Sequence, residues 1–112
     1  ETAVSIRGEK FLLRQAIENL ARNAAEAIEG DGVVRIETDL VDHFLVIRVK
    51  DTGRGIPPEI QAKLFEPFFT TKAHGTGLGL ATSQQIVFEH NGHLVVESQP
   101  GKGTTFTTLL PL

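Results

Sequence analysis

Apolar residues recur along this 112-residue chain with two spacings, near 3.6 and near 2, and the alternation between them predicts its elements. From Glu9 to Glu29 no proline or glycine interrupts a run of helix formers, and Gly30 stands where a helix end favours glycine. The longest helix is predicted there. On a wheel of about 100° per residue, Leu13, Ala16, Ile17, Leu20, Ala24, Ala27 and Ile28 share one stripe, which is assigned to the core. Asn19 and Asn23 sit together at the border of that stripe, with Glu26 one turn further along the same edge. Strand patterns occupy Val4-Ser5-Ile6-Arg7, a short edge segment, then 33–38 and 44–49, a hairpin around Val41-Asp42-His43 whose second strand runs into Asp51. Pro57 or Pro58 opens a short helix through Phe65, and a second long helix spans Leu78 to Glu89 and stops near Asn91-Gly92. His93 to Ser98 and Thr104 to Leu110 form a last hairpin joined through 99–103. Helices and antiparallel hairpins in this order predict a two-layer α+β sandwich with one sheet face covered by helices.

Composition narrows the partners. The length and 40% hydrophobic content fit one domain with a real core. Eleven basic against fourteen acidic residues give a net charge of -3 with no basic run, so no nucleic-acid footprint is present. Without cysteine there are no disulfides and no thiolate metal sites, which is compatible with a reducing compartment. No apolar run of membrane-spanning length and no signal peptide occur, so no direct membrane contact is expected. The chain opens on Glu1 rather than methionine, and is expected to be part of something longer.

Candidate chemistry concentrates in the glycine-rich stretches. Gly75-Thr76-Gly77-Leu78-Gly79 leads straight into a predicted helix, a place where backbone amides can face a phosphate. It is neither the G-x-G-x-x-G pattern nor a P-loop, and a simple lid or tight helix entry remains the alternative. Asp51 ends a predicted strand and leads Asp51-Thr52-Gly53-Arg54-Gly55-Ile56, where a carboxylate can accept from an amine or simply start a turn. Phe65-Glu66-Pro67-Phe68-Phe69-Thr70-Thr71-Lys72 has no period and holds three of seven phenylalanines, which suggests a docking loop. None of the four histidines has metal-ligand spacing.

Four of these segments occur in one order: Asn19-Leu20-Ala21-Arg22-Asn23-Ala24-Ala25-Glu26-Ala27, Asp51 to Ile56, Phe65 to Lys72, and Gly75-Thr76-Gly77-Leu78-Gly79-Leu80. Together they resemble the N box, first glycine box, F box and second glycine box of the ATP-binding catalytic domain of two-component sensor histidine kinases. Gly101-Lys102-Gly103-Thr104-Thr105-Phe106 with Leu110-Pro111 is similar to that family's last strand. The wording is most like the nitrogen-regulation and oxygen-sensing kinases. The resemblance implies the Bergerat fold, a mixed, largely antiparallel sheet covered on one face by helices, with residues 1–112 a single catalytic domain. Sensor, dimerisation and phosphoacceptor domains would lie outside this chain. It also implies Mg²⁺-ATP, whose γ-phosphoryl group passes to a histidine on the dimerisation domain, a response regulator downstream, and a cytoplasmic location.

The roles implied by the resemblance fall on particular residues. Asp51 takes the adenine amine, Thr104 is a second adenine contact or an ordinary strand residue, and Gly53, Gly55 and Ile56 let the backbone approach the base. Asn23 takes the metal, Asn19 edges the site, and Gly75, Thr76, Gly77, Leu78, Gly79 and Leu80 surround the phosphates. Lys72 is the first choice for neutralising the γ-phosphate, with Arg22 or Arg54 as alternatives. Phe65 would anchor the lid, and Phe68 with Phe69 would touch the neighbouring domain. Many relatives carry a lysine where this chain has Glu26. None of the four histidines has the acidic neighbour and helical setting of the family's phosphoacceptor. Two other readings stay open, an ATPase that would use Glu18 as base and a nucleotide-sensing scaffold. Glu18 points about 100° away from Asn19 on the helix, which disfavours hydrolysis.

Overall fold

The computed structural model describes residues 8–67 and 79–112; the predicted edge segment at 4–7 lies outside them. The elements in chain order are α1 (Lys10–Glu26), β1 (Val34–Val41), β2 (Phe44–Asp51), α2 (Pro58–Gln61), α3 (Gly79–Glu89), β3 (His93–Gln99) and β4 (Gly103–Pro111). The four strands lie in the order β1-β2-β4-β3, and every pairing among them is antiparallel. Both predicted hairpins therefore form, and β4 enters the middle of the sheet. α1 and α3 cover one face and run antiparallel. Glu9 N–H bonds to His90 Nε2 at 2.9 Å, Ser83 Oγ donates to the Ala16 carbonyl at 3.0 Å and Asn19 Nδ2 to the Gly79 carbonyl at 3.3 Å.

Two clusters fill the space between the layers. Ala16, Ile86, Val87 and Leu110 make one, with Leu13, Ile47 and Leu94 against it. Leu20, Ala24, Val49 and Phe106 make the other, joined by Ile17, Ile56, Leu64, Phe65, Leu80 and Val96. The helical stripe predicted from spacing is thus the face that α1 buries. Burial of a Leu, Val or Phe side chain is worth about 1.5–3 kcal/mol, so these clusters dominate the packing energy. β1 is an edge strand that the helices scarcely reach, and Ile36 and Leu40 on its helix-facing side stay exposed.

Element ends depart from the sequence expectation for identifiable reasons. α1 stops at Glu26 rather than Glu29: the Ile28 N–H bonds the Ala25 carbonyl three residues back, which ends the i→i−4 ladder, and Gly30 has φ 76° in the turn beyond, while the Ala27 carbonyl accepts the Arg54 N–H at 3.3 Å. α2 covers only Pro58–Gln61, and i→i+3 turns carry the chain onward to Glu66. α3 ends as a Schellman motif, with Gly92 N–H on the Val87 carbonyl and Asn91 N–H on that of Phe88. Asn91, not glycine, takes the left-handed position at φ 62°. Gly92 is needed for another reason: a Cβ there would lie 2.4 Å from the Leu109 carbonyl.

Candidate functional site

The site begins at the end of β2. Asp51 is the last residue of that central strand and is 7% exposed, with Thr104 of β4 directly opposite and 4% exposed. One carboxylate oxygen of Asp51 accepts the Gly53 N–H at 2.8 Å, which fixes the side chain and leaves the other oxygen for a further donor. Burying a carboxylate is costly without partners, so a residue of this kind at a strand end is a place where an external donor is useful.

The loop after Asp51 is braced from two sides. Gly53 packs on the end of α1, where a Cβ would come within 2.5 Å of the Ala27 carbonyl. Gly55, with φ 74°, packs on the β3–β4 turn, where a Cβ would meet the Gln99 carbonyl at 2.1 Å. At both glycines a Cβ would therefore meet protein backbone. The Gly101 N–H reaches the Arg54 carbonyl at 2.7 Å, and Ile56 N–H donates to Ser98 Oγ at 2.8 Å. Gln61 Nε2 donates to the Ile56 carbonyl at 2.7 Å and to the Ser98 carbonyl at 3.2 Å. Ile56 itself packs into the core beside Phe65.

The other wall is α1. Ala27 meets the Asp51 loop, Asn19 meets Gly79 at the start of α3, and Asn23, half-buried, lies one turn from each along the helix. Arg22 Nη1 donates to Asn19 Oδ1 at 3.4 Å, a long bond at the solvent edge. Arg54 is directed to Glu29 instead, at 4.0 Å. Leu80 packs into the cluster around Phe106. Gly79 differs from the other site glycines, since a Cβ there would stand in open space. The structure therefore brings Asn19, Arg22, Asn23, Asp51, Gly53, Gly55, Ile56, Gly79, Leu80 and Thr104 around one end of the helix-covered sheet face. Lys72, Gly75, Thr76, Gly77 and Leu78, with Phe68 and Phe69, lie outside the described residues.

Two residues of this region carry no motif in the sequence. Ser98 sits on β3 opposite Thr104, and Gln61 on α2, and both tie the Asp51 loop to the last hairpin. A hydroxyl at the register position facing a candidate site residue is the signal that could have found Ser98. Among the described residues no cluster of three or more His, Asp or Glu could hold a metal by itself, and no helix is long and apolar enough to cross a membrane.

Comparison with known proteins agrees with this arrangement. Residues 8–112 match the family described as histidine kinase-, DNA gyrase B-, and HSP90-like ATPase. The signal transduction histidine-protein kinase AtoS of Escherichia coli (strain K12) is 47% identical over 108 residues, which are 96% of this chain and 18% of that protein. The mycobacterial sensor histidine kinase MprB superposes with a TM-score of 0.84 at 34% identity, covering 93% of this chain and 72% of the solved one. Full-length ShkA, solved in complex with AMPPNP, gives 0.80 at 33% identity over 89% of this chain and 21% of its own. The chain spans about a fifth to a quarter of the length of the curated relatives it matches.

Proposed function

The chain belongs to the histidine kinase-, DNA gyrase B- and HSP90-like ATPase family, with the fold of a histidine-kinase catalytic domain, and from that premise we propose that it loads Mg²⁺-ATP and donates the γ-phosphoryl group to a histidine on a separate dimerisation domain. Residues 1–112 act as one catalytic domain, in the cytoplasm, with a response regulator as downstream acceptor. What supports this reading is that Asp51, the amide edge of α1 and the start of α3 lie at one end of the helix-covered sheet face, joined by the Arg54–Ala27 and Asn19–Gly79 hydrogen bonds.

There Asp51 accepts from the exocyclic amine of adenine, and Thr104 supports it. Asn23 offers a neutral amide oxygen, which suits a hard Mg²⁺ that keeps most of its waters and is held chiefly by phosphate oxygens. The metal would neutralise charge on the transferred phosphate. Asn19 and Arg22 edge the phosphate end, where their bond to one another and to Gly79 pre-positions them. Lys72 is assigned the γ-phosphate, and Gly75, Gly77 and Gly79 the remaining phosphate contacts. Phosphoryl transfer asks for positioning and charge neutralisation more than for covalent chemistry, so amides and cations suffice.

The test is a titration with a fluorescent adenine nucleotide, with and without Mg²⁺, followed by addition of the parent's dimerisation domain and γ-labelled ATP. Tight magnesium-dependent binding, lost in Asp51→Asn, and label on a histidine are expected. A nucleotide-loaded chain that labels no histidine on a folded partner would contradict the transfer, and steady phosphate release abolished by Glu18→Gln would make it a hydrolase.

A further inference from the structure

Three side chains form a row across the sheet at the Asp51 end. Asp51 pairs with Thr104 across β2 and β4, and Thr104 with Ser98 across β4 and β3. Directly opposed residues project to one side of a sheet, so the row faces the helices. Ser98 Oγ lies 2.8 Å from the Ile56 nitrogen, 2.9 Å from the Gly103 carbonyl oxygen and 2.8 Å from Thr104 Oγ1.

Counting protons gives each bond a direction. A serine hydroxyl has one proton and two lone pairs. The Ile56 N–H can only donate and the Gly103 carbonyl can only accept. Ser98 therefore gives its proton to Gly103 and accepts from Ile56, and the remaining bond is made with the proton of Thr104. The Thr104 hydroxyl is left with lone pairs alone to offer elsewhere. Beside it, the Asp51 carboxylate is likewise an acceptor. Two acceptors stand side by side on the helix-facing side of the sheet.

We infer that Ser98 is a specificity-determining positioning residue: by holding the proton of Thr104 it makes the wall accept-only, so that the site takes a 6-aminopurine and rejects a 6-oxopurine. This rests on the reading of Asp51 and Thr104 as the base-recognising pair. The amine at C6 of adenine brings two protons to such a wall, directly or through a water. A carbonyl at C6 meets acceptors and stays unpaired, and a buried polar group without a partner is what makes such sites selective. A freely rotating threonine would lose this discrimination, since it could turn its proton toward the carbonyl. Ser98 does not touch the nucleotide itself. Gln61, bonded to the carbonyls of Ile56 and Ser98, holds the serine and the loop in register.

The test measures ADP and inosine diphosphate binding to the 112-residue chain by calorimetry, since the two differ on the Watson–Crick edge alone. Ser98→Ala is expected to lower the preference for ADP by about tenfold, the order of one hydrogen bond to a buried group. Ser98→Thr restores it, and in a Thr104→Val background Ser98→Ala changes the preference no further. Equal weakening of both nucleotides by Ser98→Ala would overturn the inference. Should that variant fail to fold, Thr104→Val alone decides: an unchanged ADP to inosine diphosphate ratio would contradict it. Asp51→Asn separates the two layers of the argument. If it leaves the wild-type preference intact, the base-recognition reading fails; if it removes the preference while Ser98→Ala does not, only the role of Ser98 fails.

Discussion

Thr104 and Thr108 lie four residues apart on β4, face the same side of the sheet and are both buried, yet their hydroxyls have opposite fates. Thr104 stands between Asp51 and Ser98 and bonds to Ser98, whereas Thr108 stands between Ile47 and Leu94 and has no hydrogen-bond partner among the described residues. One end of the helix-covered face is therefore built as a core, and the other as a polar wall. At the packing end an unpaired hydroxyl is a cost of about 1–3 kcal/mol with no site to justify it. At the Asp51 end the polar groups are joined to one another, and the Asp51 carboxylate and the Thr104 hydroxyl keep acceptor capacity to spare. A buried polar residue marks a site when its neighbours are arranged around it, not by its burial alone.

Phe106 separates the two threonines and is wholly buried, so Phe106→Ala gives the largest change, a loss of about 3–5 kcal/mol in urea denaturation that abolishes both ends together. Asp51→Asn should split them. Removing a charge-assisted hydrogen bond costs about 1.5–3 kcal/mol, read as a 10- to 100-fold loss of ADP affinity by titration, with the urea midpoint nearly unmoved. Thr108→Val should do the reverse, raising stability by about 1 kcal/mol in the same denaturation and leaving ADP affinity as it was. A drop in stability there would show that the hydroxyl has a partner after all.

The smallest effect lies on the open sheet face, away from both threonines. Lys50 bonds Glu37 at 2.7 Å and holds its carboxyl below the ordinary value of 4.5, aided by the charges of Arg35 and Arg48. Because the folded-state value is depressed, this contribution is complete above the ordinary value and is lost as pH falls through the lower one. The pair is half-exposed and screened, so the change is slight. Glu37→Gln should narrow the difference between urea midpoints at pH 6 and pH 3, and an unchanged difference would remove the pair from the account.

What the sequence made legible follows from local physics. The α1 stripe, both hairpins and the glycine-flanked Asp51 are each set by spacing within one element, and each is found in place. The shortening of α1 was not legible, because no residue between Glu26 and Glu29 marks the change to an i→i−3 bond at Ile28. Gly53 and Gly55 were recognised as close-approach positions, but which surface they approach is decided by Ala27 and Gln99, both distant in the fold's local pattern. His90 showed no role among the histidines; in the structure it receives the Glu9 N–H and bonds the Ile86 carbonyl, joining the start of α1 to the end of α3. Ser98 was hidden for the same reason. Its importance comes from lying opposite Thr104 once the turn at 99–103 has set the register.

The most direct measurement is an amide chemical-shift map of the ¹⁵N-labelled chain titrated with ADP and Mg²⁺. The account predicts the largest changes at Asn23, Gly53, Ile56, Ser98 and Thr104, with Leu94 and Thr108 at the packing end unmoved. Changes centred on Thr108 and Leu94, or on Glu37 and Lys50 of the open face, would place the nucleotide elsewhere and contradict it.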